Sequence, residues 1–212
     1  MPILVDSLMF DLDGTLWDSS HACASGWNQA LFEMGKKARN FSPADIGAIM
    51  GLPPSKIFEK FFPEESAEER SAIASRCLRE ELKSIQETTI GLFPGVKAGL
   101  ITLAQTFPLY LVSYCLTDYL ETFFTLSGLK PLFKDSTCHG ATGKPKAENI
   151  SLIIANHHLK SAAYIGDTAA DHKSAERAGA LYFHVNYGFG TPDRECQTFD
   201  TFSELVSYFT TL

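Results

Sequence analysis

The chain has 212 residues, and no apolar run in it approaches the ~18 residues that a membrane helix requires. Its first residues lack the basic segment followed by an apolar stretch that marks a signal peptide. Cysteine is sparse and unpatterned. The five residues Cys23, Cys77, Cys115, Cys138 and Cys196 are odd in number, and no pair has CxxC spacing. That argues against a disulfide framework and for free thiols in a reducing compartment. A cytoplasmic location with no membrane partner is therefore expected. Positive charge is also short, with 18 Lys and Arg against 25 Asp and Glu and a net charge of −7. This disfavours a nucleic-acid partner. An anionic substrate would need local positive charge, supplied by a metal and a lysine. His139, His157, His158, His172 and His184 show no metal-ligand spacing. Internal repeats and low-complexity tracts are missing too. Oligomeric state, monomer or homodimer, is not readable.

What is present is enough apolar material for a substantial core. Hydrophobic residues make up 45% of the chain, which suits one domain, or a core with an insertion. The most informative segment is Leu8-Met9-Phe10 running into Asp11-Leu12-Asp13-Gly14-Thr15-Leu16. On a continuing strand, carboxylates at i and i+2 would share a face and repel. The arrangement makes sense if the chain leaves the strand there, as Gly14 invites. A divalent cation would then take up the charge. Mg²⁺ suits this role because it binds through one or two carboxylates, water and substrate phosphate. A capped strand-to-turn junction is the plainer alternative.

Two further apolar runs end in similar chemistry. Leu109-Tyr110-Leu111-Val112 ends at Ser113, and Ala162-Ala163-Tyr164-Ile165 ends at Gly166-Asp167, with Asp171 four residues on. Ligands of open parallel α/β sheets bind outside the carboxyl ends of the strands, so the fold would bring these ends together. Residues 4–10 read as a buried strand. From about Ser19 to Thr89 the spacing turns helical, as in Trp27, Leu31 and Met34. Ser42-Pro43 and Leu52-Pro53-Pro54-Ser55 read as helix starts. After Phe93 strands and helices alternate. Helices are expected near 95–106, 117–128, 147–158, 170–178 and 202–210. Strands are expected at 109–113, 163–167 and 181–185, with a short strand or loop at 133–138. This alternation predicts an α/β fold, a Rossmann-like parallel sheet with helices on both faces.

These motifs, in this order, resemble the haloacid dehalogenase superfamily and its phosphoglycolate-phosphatase-like branch. The likeness rests on Asp11-Leu12-Asp13-Gly14-Thr15-Leu16, Ser113, Gly143-Lys144-Pro145-Lys146 and Gly166-Asp167-Thr168-Ala169-Ala170-Asp171. Phe93-Pro94-Gly95-Val96 and Tyr187-Gly188-Phe189-Gly190 are lesser matches. The resemblance implies a core of residues 1–18 and 90–212, with an all-helical cap domain at 19–89 that closes over the site. It implies that Asp11 is a nucleophile forming an aspartyl-phosphate, and that Asp13 is general acid and then base. Mg²⁺ would be held by Asp11, Asp167 and the backbone carbonyl of Asp13, with Asp171 orienting the ligands. The plainer reading of Asp171 is a helix N-terminal carboxylate, and the two are compatible. Ser113 would donate to the phosphoryl oxygens, or cap the helix that follows. Gly14 and Thr15 would shape the turn, and their amides could contact phosphate. Lys144 and Lys146 both fit the family's lysine, with Lys146 slightly favoured. Relatives usually carry Asn or a small residue after the serine. Tyr114 departs from this; it is expected beside Ser113 among the phosphate-binding residues and would narrow that side of the pocket.

The function implied is Mg²⁺-dependent hydrolysis of a small phosphorylated metabolite, a phosphoglycolate-like phosphomonoester. Pyrophosphatase or nucleotidase activity is an alternative, as is a sugar phosphomutase. Such mutases keep a histidine twelve residues after the nucleophile, where this chain has Cys23, with His21 two residues early. A phosphonate hydrolase would need a cap lysine, and Lys56 and Lys60 lie in no recognised pattern. A receiver-type phospho-acceptor would have neither the insertion nor an acid at Asp13. Trp27, Phe58, Phe61 and Phe62 are expected in the core of the insertion, and the cysteines as core or incidental residues.

Overall fold

The structure, a computed structural model, describes residues 5–36, 39–52, 54–89 and 91–211. By internal packing the chain divides into two compact units. One joins Met1–Asp18 to Gly91–Leu212, and the other is Ser19–Ile90.

The first unit is built on six strands: β1 (Ser7–Phe10), β2 (Leu109–Ser113), β3 (Phe133–Cys138), β4 (Ala162–Gly166), β5 (Leu181–Val185) and β6 (Gln197–Phe199). All pairings are parallel, in the order β3-β2-β1-β4-β5-β6. The chain builds outward from β1 through β2 to β3, then returns to the other side of β1 with β4. That reversal opens a crevice at the carboxyl ends of β1 and β4, the ligand position of doubly wound sheets. β1, β2 and β4 are buried along their whole length, as strands covered on both faces must be.

The helices in order are α1 (Ser20–Glu33), α2 (Pro43–Gly47), α3 (Pro54–Phe61), α4 (Ala67–Gln86), α5 (Val96–Leu103), α6 (Thr117–Ser127), α7 (His139–Thr142), α8 (Lys146–His157), α9 (Ala169–Ala178) and α10 (Phe202–Thr210). Alternation along the strands assigns their residues to two layers. Met9, Tyr110, Val112, Tyr164 and Tyr182 pack with Ile150, Ile153 and Ala175 of α8 and α9. On the opposite face, Phe10 meets Phe202 with ring centroids 6.1 Å apart, and Phe183 meets Phe209 at 5.0 Å, both on α10. α6 and α9 stop at Gly128 and Gly179, whose φ angles of 67° and 77° only glycine adopts without strain.

The second unit is all helical. Ser42 caps α2 in a reciprocal box with Asp45, and Ser66 does the same for α4 with Glu69. Gly26 lets α1 approach α4 closely: a Cβ there would lie 2.5 Å from the Glu80 carbonyl oxygen. Trp27, Leu31, Phe58 and Phe62 are buried in this unit, with the Trp27 ring tilted against Phe58 at a centroid distance of 5.0 Å. Phe61 and Met34 are half-buried.

Several expectations need adjustment. β1 begins at Ser7, not near residue 4, and Leu4 lies outside the described residues. The Asp6 amide still donates to the Ser161 carbonyl (2.9 Å), while its carboxylate accepts the backbone amides of Lys160 and Ser161. The helix start at Leu52-Pro53-Pro54-Ser55 is found at Pro54, while Pro53 and the cap role of Ser55 lie outside what is described. The helix expected at 95–106 spans only Val96–Leu103. β4 stops at Gly166, which leaves Asp167 on the loop. α7, β6 and a 3-10 turn at Lys130–Leu132 had no signal, being three or four residues long. Among the described residues no helix is long and apolar enough to cross a membrane.

Candidate active site

Asp11 is the first residue after β1, and its amide still donates to the Ile165 carbonyl of β4 (2.9 Å). The chain then turns sharply. Gly14 adopts φ 80°, and a Cβ there would lie 2.2 Å from Asp167 Oδ2. Only glycine therefore permits both the turn and the approach of the second loop.

This turn and the β4 loop gather three buried carboxylates, those of Asp11, Asp167 and Asp171, each offering an oxygen within 4.8 Å of the others. Lys146, the first residue of α8, points its ammonium into the group. Its Nζ donates to Asp11 Oδ1 (2.8 Å) and to Asp171 Oδ1 (2.6 Å). The Tyr164 hydroxyl, itself donating to the Val112 carbonyl (2.8 Å), is hydrogen-bonded to the same ammonium. Lys144 stays on the surface, 4.0 Å from Glu148. The structure thus places Lys146 against Asp11 and leaves Lys144 in solvent.

The cluster is short of positive charge. Burial, and then the charge of Asp171, push the Asp11 carboxyl well above the usual carboxylate range. The same two causes push Asp167 up to about 7. Burial works against the charge on Lys146, but Asp11 and Asp171 outweigh it and hold its pKa well above that of free lysine. One ammonium facing three buried carboxylates leaves an excess of negative charge that low-dielectric surroundings cannot screen. All-oxygen donors at this spacing fit a hard divalent cation such as Mg²⁺.

Each carboxylate is also oriented by hydrogen bonds. Asp171 Oδ2 accepts from the Thr168 amide (3.1 Å) and hydroxyl (2.6 Å), closing a capping box at the start of α9. Asp171 is therefore both part of the capping box of α9 and a member of the cluster. Asp167 Oδ2 accepts the Phe189 amide (2.7 Å), and Thr15 Oγ1 lies 3.4 Å from Oδ1. Tyr187 reaches back to the Thr15 carbonyl (2.9 Å). Gly188 must lack a side chain, since a Cβ would stand 2.3 Å from Asp167 Cβ.

Asp13 points elsewhere. Its Oδ1 accepts from the Trp17 indole nitrogen (2.8 Å) and from the Tyr119 hydroxyl (2.6 Å). Its carboxylate does not belong to the three-carboxylate cluster. The amide of Gly14 donates to the Trp17 carbonyl (3.0 Å) and that of Thr15 to the Leu12 carbonyl (3.3 Å). Both amides are thus engaged inside the turn.

Ser113 is buried at the end of β2. It does not cap α6, whose N-cap is Leu116 without a side-chain bond. Its hydroxyl is hydrogen-bonded to the Cys115 thiol. Cys138, hydrogen-bonded to Cys115 and to backbone amides of α7, is pulled down to about 6. Tyr114 lies flat on His139, centroids 4.5 Å apart.

The contacts of Trp17, Tyr119, Tyr164 and Thr168 were not singled out from the sequence. Tyr119 meets Asp13 across 106 positions, and nothing local marks such a pair. Thr168 lies within the Gly166–Asp171 motif, and the supporting loop carries the motif Tyr187-Gly188-Phe189-Gly190.

Comparison with known proteins gives the family. A probable phosphatase from Dickeya dadantii is 28% identical over 213 residues, covering 94% of this chain and 91% of its own length. A phosphoglycolate phosphatase from Nitrosospira multiformis is 26% identical, covering 89% and 86% respectively. A solved hydrolase of the haloacid dehalogenase-like family from Streptococcus pneumoniae superposes with a TM-score of 0.84 at 25% identity, over 97% of this chain and 98% of that one. The model of the haloacid dehalogenase-like hydrolases matches residues 8–185, from within β1 to the end of β5 and through both carboxylate loops. The chain therefore belongs to the haloacid dehalogenase-like hydrolase family.

Proposed function

We propose that this hydrolase is a Mg²⁺-dependent phosphatase that cleaves a small phosphomonoester through an aspartyl-phosphate on Asp11. The observation that carries the reading is the division of labour between two carboxylates two residues apart. Asp11 faces the lysine and the carboxylate cluster, while Asp13 is turned away and held by hydrogen bonds. A nucleophile and a proton-transfer group need such separate surroundings.

In this reading Asp11 Oδ attacks phosphorus while Asp13 gives its proton to the departing alkoxide. Asp13 then takes a proton from the water that hydrolyses the acyl phosphate. Lys146 offsets the charge of nucleophile and phosphoryl oxygens without competing as a base. Ser113 donates to those oxygens from the end of β2. Asp11, Asp167 and the Asp13 carbonyl would hold Mg²⁺, with Asp171 steadying Lys146 and the β4 loop. The bound cation supplies Lewis-acid neutralisation of the phosphoryl charge. The position at which sugar phosphomutases keep a histidine holds Cys23, buried on α1, which favours hydrolysis. The names of the relatives support a phosphoglycolate-like substrate, and the domain roles of catalytic core and helical cap follow the same analogy.

The test is phosphate release from small phosphomonoesters and pyrophosphate, with Mg²⁺ and with chelator, by the parent chain and by Asp11→Asn. Metal-dependent release that Asp11→Asn abolishes while remaining folded is the expected outcome. Release by the folded Asp11→Asn protein would overturn the nucleophile assignment.

A further inference from the structure

Asp13 has a particular problem in this site. It stands two residues from Asp11, on a turn whose neighbouring loop presents two more carboxylates. A free aspartate side chain with two rotatable bonds could swing into any cation bound there, and it would then be lost to proton transfer. The structure holds it elsewhere. Two neutral donors, the Trp17 indole at 2.8 Å and the Tyr119 hydroxyl at 2.6 Å, converge on the same oxygen, Oδ1.

Both donors are themselves fixed. Trp17 and Tyr119 are buried. Their rings meet edge-on at 5.5 Å, and Trp17 also packs at 5.0 Å against Phe123. The backbone of Trp17 closes the Asp13 turn through the Gly14 amide and pairs with Leu92. Tyr119 comes from the first turn of α6, so the two donors reach Asp13 from independent elements.

We propose that Tyr119 and Trp17 are positioning residues that aim the Asp13 carboxylate at the leaving-group oxygen and keep it out of the cation cluster. The inference rests on the phosphatase reading above and deepens it. A purely structural role, in which Asp13 merely satisfies two buried donors, makes a different prediction. Loss of packing or folding would slow every substrate alike. Misplacement of the general acid slows only those esters whose leaving group needs a proton.

The experiment compares kcat/KM for 2-phosphoglycolate, an alkyl ester, with that for p-nitrophenyl phosphate, whose phenolate leaves unaided. This parameter reports only steps up to the first irreversible one, so the later base role of Asp13 does not enter. Tyr119→Phe keeps the ring and removes the hydroxyl. Losing one hydrogen bond to a charged group should lower kcat/KM for the alkyl ester roughly ten- to hundredfold, leaving the aryl ester within about twofold. Asp13→Asn, which removes the proton donor itself, should lower kcat/KM for the alkyl ester by a larger factor than for the aryl ester. Adding Tyr119→Phe to Asp13→Asn should cost nothing further, because the tyrosine acts through Asp13. If Tyr119→Phe does not fold, Trp17→Phe is judged by the same split.

A split in Asp13→Asn that is absent from the folded positioning variants, or an equal fall on both esters, overturns this inference and leaves the phosphatase reading standing. No split in Asp13→Asn removes the general-acid role of Asp13 and this inference with it, and no phosphate release from any ester of the panel by the parent chain overturns the phosphatase reading as well.

Discussion

Lys146 is the residue on which the charge balance of the site turns. Among the described residues it is the single cation in a group of three buried carboxylates, and it contacts two of them. Lys146→Ala should lower kcat by roughly 10²–10³-fold, the scale of losing one preorganised charge donor. Lys144→Ala should stay within about twofold, as expected of an exposed lysine 4.0 Å from Glu148. Similar rates for the two variants would remove Lys146 from the role proposed for it. Asp167 adds a pH prediction. Without a cation its folded carboxyl keeps its proton up to about 7, whereas the unfolded chain releases it near 3.9. Between those values the folded state binds more protons, so the stability contributed by this group is lost as pH rises through 7. Buried His172 and His184, both lowered first of all by burial, act in the opposite sense and penalise folding as pH falls below that of free histidine. The difference between Mg²⁺ and chelator isolates the cluster from them. The rise in Tm on adding Mg²⁺ should be larger at pH 8 than at pH 5.5, because protons compete for the same oxygens. An increment independent of pH would place the cation on other ligands.

At the scale of elements, the loop after β5 is the support for Asp167. Gly188→Ala would force a Cβ to within 2.3 Å of Asp167 Cβ and 2.4 Å of the Gly14 carbonyl oxygen. Backbone and a buried carboxylate cannot give way cheaply, so about 1–3 kcal/mol of stability should be lost. Activity should fall about 10²-fold through the displaced carboxylate. Tm and a Mg²⁺ titration of activity would read both, and a parent-like titration would show that the loop does not hold Asp167. Such support was only partly legible in the sequence. The strands near the site were legible because each is an apolar run ending in a polar group, as in Leu109–Ser113. The caps were legible because Ser, Asp and Gly sit where backbone groups need them, as at Ser42, Gly128 and Gly179. β6 was not, because Gln197 and Thr198 are exposed on an edge strand and carry no apolar alternation. The residues that aim Asp13 were not, because Tyr119 is a helix residue whose spacing reports burial and says nothing of its hydroxyl's partner.

Across the whole molecule, every residue of the carboxylate cluster and Lys146 belongs to the unit that contains the sheet. Binding free energy stabilises whatever folds with the site. In hydrogen exchange, Mg²⁺ should slow amides of β1, β4 and α9 and leave those of α1 to α4 nearly unchanged. Equal protection of both units would mean that cation binding is shared between them. The strand order, with its reversal at β1, places Asp11 and Asp167 side by side although 156 positions separate them. The helical unit leaves the chain after Asp18 and returns at Gly91. These two residues are joined by a backbone hydrogen bond of 2.8 Å, and Gly91 would bring a Cβ within 2.6 Å of the Asp18 carbonyl oxygen. The excursion of about seventy residues is thus stitched shut at its base. A stretch of chain whose two ends already touch can be lengthened, shortened or exchanged without moving either stub. The helical insertion is in that sense an interchangeable attachment, and a lineage or a protein engineer could replace it wholesale while the sheet and its charged loops keep their places.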